Sequence, residues 1–237
     1  MAVAPRPVRT VFLDAGGVLL HPNWQRVSDT LARHGVVVPA AALSAADLRA
    51  KRQLDVPQNE RATSDDARNA LYFEAVRAFA AVPQSAGTEA AFAELRRYHA
   101  EHNLYEWVPA DVVPSLTRLR GLGPRLVMVS NANGTLHAHA ERLGLATHFE
   151  LIIDSQREGV EKPDPEIFRR ALARSGADAE TTIHVGDLYH VDVLGARAAG
   201  LEAWLFDAGR LYTDVDCPRV ATLAELCERV ARLVAAA

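Results

Sequence analysis

The sequence predicts an α/β fold in which a doubly wound parallel sheet carries an all-helical second domain, and three observations lead there. From about residue 109 onward, short apolar β-branched runs alternate with amphipathic helical segments, the signature of successive βαβ units. A single run of the same strand type stands apart near the N-terminus, at residues 8–13. Between the two lies a stretch with helical periodicity and no convincing strand.

Residues 8–13 form a β-branched apolar run that ends at Asp14 and meets Gly16-Gly17, so a buried strand delivers a carboxylate to a tight loop. The helical stretch, from Trp24 to about Asn103, repeats apolar residues at helical spacing. The repeats are Val27, Leu31 and His34, then Leu43, Leu48 and Leu54, then residues 71–79, then 92–98. Ser64-Asp65 and Thr88 offer side-chain oxygens that can cap the starts of the last two helices. After Pro109 the expected order is helix 111–119, strand 125–129, helix 135–143, strand 150–153, helix 165–174, strand 181–185, helix 191–199, strand 202–206 and a last helix from Leu223. Residues 1–21 and 109–237 therefore make the α/β domain and 22–108 the helical one. Right-handed crossovers cover such a sheet on both faces and leave ligands to bind beyond the carboxyl ends of the strands.

Composition narrows the partners. With 237 residues, 49% hydrophobic, the chain can bury a sizeable core. A net charge of -4 lacks the basic footprint of a nucleic-acid binder, so a small molecule is the expected partner. Residues 1–10 have no apolar signal-peptide core and no run is long enough to span a bilayer, which points to a cytoplasmic protein without membrane contact. Cys217 and Cys227, the only cysteines, have no metal-ligand spacing and read as reduced thiols. Lysine occurs only at positions 51 and 162.

Polar residues gather at four strand ends or the loops beyond them: Asp14, Ser130-Asn131, Lys162, and Asp187 with Asp192. Their order and local sequences resemble the haloacid dehalogenase-like superfamily. The resemblance rests on Phe12-Leu13-Asp14-Ala15-Gly16-Gly17, Val129-Ser130-Asn131, Glu161-Lys162-Pro163-Asp164-Pro165, and Gly186-Asp187-Leu188-Tyr189-His190-Val191-Asp192. It covers residues 8–210 and implies a Rossmann-like core whose helical insert is a cap closing over the site, with hinges near residues 21–23 and 107–109. It further implies a hydrolase acting on a small phosphorylated substrate, with Asp14 attacking phosphorus to form an aspartyl-phosphate. Asp14, the Gly16 carbonyl and Asp187 would hold Mg²⁺, an ion that prefers oxygen ligands, with Asp192 behind them. Ser130 and Lys162 would stabilise charge on the phosphoryl group, and Asn131 would orient substrate or lysine. Substrate contacts from the cap fall to Lys51 and Arg52, with Trp24, Arg49, Arg61 and Tyr72 as further candidates.

One position departs from the family. Its phosphatases carry a second aspartate two residues after the nucleophile as general acid and base, and here that position is Gly16. A general acid contributes about 10² to 10⁴ in rate, so its loss changes the expected chemistry. His21, Tyr189 or His190 can substitute as proton donor. Alternatively the reaction resembles that of phosphonoacetaldehyde hydrolase, which cleaves a carbon–phosphorus bond of a phosphonate through a cap lysine, here Lys51. A third reading is a catalytically impaired relative that binds a phosphorylated ligand or a protein.

Overall fold

The structure, a computed structural model, describes residues 8–56 and 65–235, apart from the side chains of 65–69. Two compact units divide the chain: one joins the N-terminal segment up to Leu19 with the segment from Val108 onward, and the other is Leu20–Trp107. The boundary falls one to two residues earlier than the expected 21/22 and 108/109. His21 and Trp107 exchange two backbone hydrogen bonds, of 2.9 and 3.1 Å, which ties both to the helical unit.

The helical unit contains α1 (Trp24–Arg33), α2 (Ala40–Leu54), α3 (Asp65–Phe79) and α4 (Ala86–His102). Their apolar faces meet in one core of Trp24, Val27 and Leu31, of Leu43, Ala46 and Ala50, of Tyr72 and Val76, and of Ala91, Phe92 and Leu95. Two sequence expectations need correction here. Leu48 is only half-buried; the inward stripe of α2 runs through Leu43, Ala46, Asp47 and Ala50, because small alanines and a carboxylate occupy places that hydrophobicity alone would give to leucine. The cap of α4 is Ser85, whose Oγ accepts from the Thr88 backbone N–H at 3.1 Å, while Thr88 lies in the first turn and donates its hydroxyl to the Pro83 carbonyl. Ser64 and Arg61 lie outside the described residues.

The α/β unit is built on six parallel strands: β1 (Thr10–Leu13), β2 (Arg125–Ser130), β3 (Leu151–Asp154), β4 (Thr182–Gly186), β5 (Glu202–Phe206) and β6 (Arg219–Val220). Their spatial order is β3-β2-β1-β4-β5-β6. The chain winds outward in both directions from β1, so the switch point lies between β1 and β4, where open α/β sheets bind ligands. The sequence showed five of these strands; two-residue β6 has too little pattern to be seen.

Around the sheet run α5 (Val112–Gly121), α6 (Leu136–Arg142), α7 (Ser155–Glu158), α8 (Pro165–Ser175), α9 (Leu194–Ala198) and α10 (Leu223–Ala235). The expected helix 191–199 is entered through a π-helical turn, Tyr189–Val193, before α9 begins. On one face Phe12, Val127 and Val129 pack with Ile167, Phe168 and Ala171 of α8 and with Val193 and Ala196. Phe12 and Phe168 are fully buried, each contributing up to about 1.5–3 kcal/mol of apolar burial. Leu116 and Leu119 of α5, and Leu226 and Val230 of α10, are buried likewise. Cys217 and Cys227 are free thiols, and no described helix is long and apolar enough to cross a membrane.

Candidate active site

Asp14 is the first residue beyond β1. Its N–H donates to Val185 of β4 at 2.9 Å, so the last ladder bond of the switch point fixes the residue that leaves it. Gly17 follows with φ of 81°, a left-handed turn that an L side chain rarely adopts. Asp187 follows β4 directly, and Asp192 lies four-fifths of the way along the π-helical turn. One carboxylate oxygen from each of Asp14, Asp187 and Asp192 falls within 4.8 Å of the others, with Asp14 and Asp192 buried and Asp187 half-buried.

Lys162 reaches into this group from the loop before α8. That helix begins abruptly because Asp164 caps it, accepting from the Glu166 N–H at 2.9 Å, and Pro165 is set for the first helical position. The lysine side chain is 2% exposed, and its Nζ donates to Asp14 Oδ1 at 2.6 Å and to Asp192 Oδ1 at 2.7 Å. Burial favours the neutral amine, but the two carboxylates outweigh it and hold the ammonium above the ordinary lysine range. Burial likewise disfavours the Asp192 carboxylate, yet Lys162 and a hydrogen bond from His184 bring it well below the usual carboxylate range. Within the quartet, three carboxylates face one ammonium.

Asn131 clamps this lysine's backbone. Its Nδ2 donates to the Lys162 carbonyl at 2.9 Å, and its Oδ1 accepts from the Lys162 N–H at 2.8 Å. The amide thus mimics a strand partner for one residue. Ser130, the last residue of β2, is buried beside it in the chain. Both ends of the Asn131 amide are thus engaged by the Lys162 backbone.

Three participants lay outside the sequence reading. Asp154, 3% exposed at the end of β3, accepts from the backbone N–H groups of Gly134, Leu136 and Gln156, each at 3.0 Å, and so fixes the loop that leaves Ser130 and Asn131. A strand-end aspartate is the same signal that singled out Asp14, and it was legible there. His184 lies inside β4 and contacts Asp192 Oδ1 at 3.1 Å; nothing in a buried strand position marks it. Asp216 accepts from the Tyr189 hydroxyl at 2.6 Å and pairs with Arg197 at 2.8 Å.

The proposed proton donors fall in different places. Tyr189 directs its hydroxyl at Asp216, which stabilises the protonated phenol and, with burial, pushes it up to about 12. His190, half-buried, packs edge-on against Tyr189. His21 belongs to the helical unit and packs against Trp107. Lys51 and Arg52 are also in the helical unit, at the end of α2. There Lys51 Nζ stands 3.7 Å from Oδ1 of buried Asp47, which also accepts from the Tyr72 hydroxyl at 2.7 Å.

A parallel sheet with the Rossmann strand order and a carboxylate–lysine cluster at its switch point defines the class. The model of the haloacid dehalogenase-like hydrolases matches residues 8–200, and the chain belongs to that family. Among curated relatives, haloacid dehalogenase-like hydrolase domain-containing protein 3 of Danio rerio is 36% identical over 138 residues, 57% of each chain. Phosphoserine phosphatase of Thermus thermophilus is 37% identical over 147 residues, 60% of this chain and 55% of that one. The chain spans about half the length of these relatives. A solved structure of a magnesium-bound putative hydrolase of the same family from Bacillus subtilis has a TM-score of 0.68 at 19% identity, covering 95% of this chain and 99% of the other, a likeness of fold.

Proposed function

We propose that this chain is a magnesium-dependent phosphatase of a small phosphorylated metabolite, working through an aspartyl-phosphate on Asp14. The observation that carries the reading is Lys162 Nζ held between Asp14 and Asp192 at 2.6 and 2.7 Å in a buried cluster that Asp187 completes. Phosphatase relatives acting, by their names, on phosphoserine, ribulose-1,5-bisphosphate and glyceraldehyde 3-phosphate support the substrate class.

The donor set fits the metal. Carboxylates are hard oxygen ligands of the kind Mg²⁺ takes, and three against one ammonium leave negative charge for a cation to offset. Asp192 is already committed: Oδ1 accepts from Lys162 and His184, and Oδ2 from the Leu188 N–H at 3.0 Å. Asp14, the Gly16 carbonyl and Asp187 would therefore hold the ion. When bound, Mg²⁺ would neutralise charge on the phosphoryl oxygens.

The protein groups do the rest. An Asp14 carboxylate oxygen attacks phosphorus, forming the acyl phosphate as the bond from phosphorus to the leaving oxygen breaks. Lys162 aims Asp14 through the 2.6 Å contact with its Oδ1, and its ammonium stabilises charge on the transferred group. The Ser130 hydroxyl donates to a phosphoryl oxygen, and Asn131 holds Lys162 in register. Water then attacks the aspartyl-phosphate, releasing phosphate and restoring Asp14. With glycine at position 16, the leaving oxygen receives its proton from His190, His21 or solvent, which favours substrates whose leaving group is a weak base. The helical unit, with Lys51 and Arg52, selects the substrate. Lys51 Nζ lies 3.7 Å from Oδ1 of buried Asp47, and the relatives named as phosphatases make phosphate ester or acyl phosphate cleavage the stronger reading.

The test is phosphate release from phosphomonoesters, acyl phosphates and phosphonoacetaldehyde by wild type and Asp14→Asn, stripped of metal and resupplied with Mg²⁺. Turnover of a phosphate compound that disappears in the mutant and without Mg²⁺ supports the proposal. Turnover of phosphonoacetaldehyde alone, or equal release by Asp14→Asn, refutes it.

A further inference from the structure

His184 is a fully buried imidazole in the middle of a sheet core. Its neighbours in register are Phe12 of β1 and Ala203 of β5, and the ring packs edge-on against Phe168, with centroids 4.8 Å apart. An apolar side chain would suit these surroundings. Among the described residues, the one polar contact of Nε2 is Asp192 Oδ1 at 3.1 Å, and Nδ1 is buried without a partner.

That geometry fixes the tautomer. Nε2 faces a carboxylate oxygen and must carry a proton to bind it, because two lone pairs would repel. A proton on Nδ1 as well would leave a buried donor unsatisfied, at greater cost than an unsatisfied ring lone pair. Burial in this apolar layer favours the neutral ring too. The imidazole is a neutral, single-direction N–H donor.

Its target is the oxygen that Lys162 also uses. Asp192 Oδ1 takes both Nε2 and the Lys162 Nζ, while Oδ2 is fixed by the Leu188 N–H. The backbone crowds the same carboxylate from behind: a Cβ on Gly186 would sit 2.1 Å from Asp192 Cγ. Lys162 then bridges from this anchored oxygen to Asp14 Oδ1.

We propose that His184 is a positioning residue that acts through Asp192: its Nε2–H locks the carboxylate rotamer and thereby aims the Lys162 ammonium at Asp14. The proposal rests on the phosphatase reading for its effect on turnover, and on hydrogen-bond geometry alone for the coupling. His184→Leu removes the donor while suiting the apolar layer, and His184→Gln keeps an amide N–H near the place of Nε2. The Leu variant is expected to fold like wild type and to lose about tenfold in kcat, with KM within about twofold, corresponding to about 1.4 kcal/mol. The Gln variant is expected to recover most of that loss, which a role in packing alone would not predict.

A second measurement needs no turnover. Nitrogen-15 NMR of the purified protein, with and without Mg²⁺, should show His184 protonated at Nε2 only, and the Lys162 ammonium resonance should move in His184→Leu. Wild-type kcat in the Leu variant, a proton on Nδ1, or an unmoved Lys162 resonance would each overturn the proposal. If wild type hydrolyses none of the phosphate compounds, the phosphatase reading fails by itself, and the two resonances still decide whether His184 sets the lysine.

Discussion

Replacing Lys162 with methionine tests the electrostatics of the site most directly, because it keeps the stem and deletes the charge. The ammonium is 2% exposed and holds two carboxylates, at 2.6 and 2.7 Å. Breaking a buried ion pair by removing one partner costs about 3–5 kcal/mol, since the carboxylate left behind has lost both its water and its counter-charge. The loss should depend on pH. In wild type the folded-state pKa of Asp192 is depressed, so its contribution is present above the unfolded carboxylate value of about 4 and is lost as pH falls below it. In the mutant, burial acts without Lys162 to oppose it and the pKa rises. The penalty is then full at neutral pH and is relieved as Asp192 takes a proton. Urea titrations of both proteins without metal should therefore give a stability gap of about 3–5 kcal/mol at pH 7 that narrows towards pH 5. Adding Mg²⁺ should narrow it at pH 7 also, because the cation offsets the freed charge. A gap that is equal at both pH values, or negligible at pH 7, would show that Lys162 does not neutralise this cluster. Turnover by the mutant should fall by about 10²–10³ in kcat.

Ser130→Ala should lower kcat by about 10², the scale for one donor to developing charge, with little change in the urea midpoint; unchanged kcat would remove Ser130 from the mechanism. Gly186→Ala places a methyl 2.1 Å from Asp192 Cγ, and the strain of such overpacking is about 1–3 kcal/mol. Its urea midpoint and its activity should both fall, whereas Gly121→Ala, with no atom within 4 Å, should leave activity intact and stabilise α5 by up to about 1 kcal/mol. Tyr189→Phe should change kcat by less than about threefold, because the phenol is committed to Asp216 and pushed up to about 12. A fall of about 10²–10⁴ would instead identify Tyr189 as the general acid.

The strand ends were legible in the sequence because a run such as Thr10–Leu13 is fixed by its own residues, and a parallel sheet puts everything just beyond such runs at one edge. Asp14, Lys162, Asp187 and Asp192 followed from that rule without any contact being known. What escaped was partner choice. Asn131 and Lys162 are 31 residues apart, and His184 faces Asp192 only because a π-helical turn brings the chain back onto β4. No local pattern records either fact. Hydrophobic periodicity also misled in α2, where Asp47 sits inside the helical core because the Tyr72 hydroxyl reaches it from α3 and Lys51 stands one turn on in the same helix. The same blindness bears on Gly16. Position alone says that the family's second carboxylate is missing, but whether a proton still arrives depends on which side chains stand within reach of the leaving oxygen. Tyr189 shows how far the two questions diverge: it lies two residues from Asp187 in sequence, and its hydroxyl is spent on Asp216, 27 residues away. The proton donor must then be sought among groups whose hydrogen bonds leave the protonated form able to give its proton up. That criterion disfavours the tyrosine, and His21 and His190 are the side chains to substitute next.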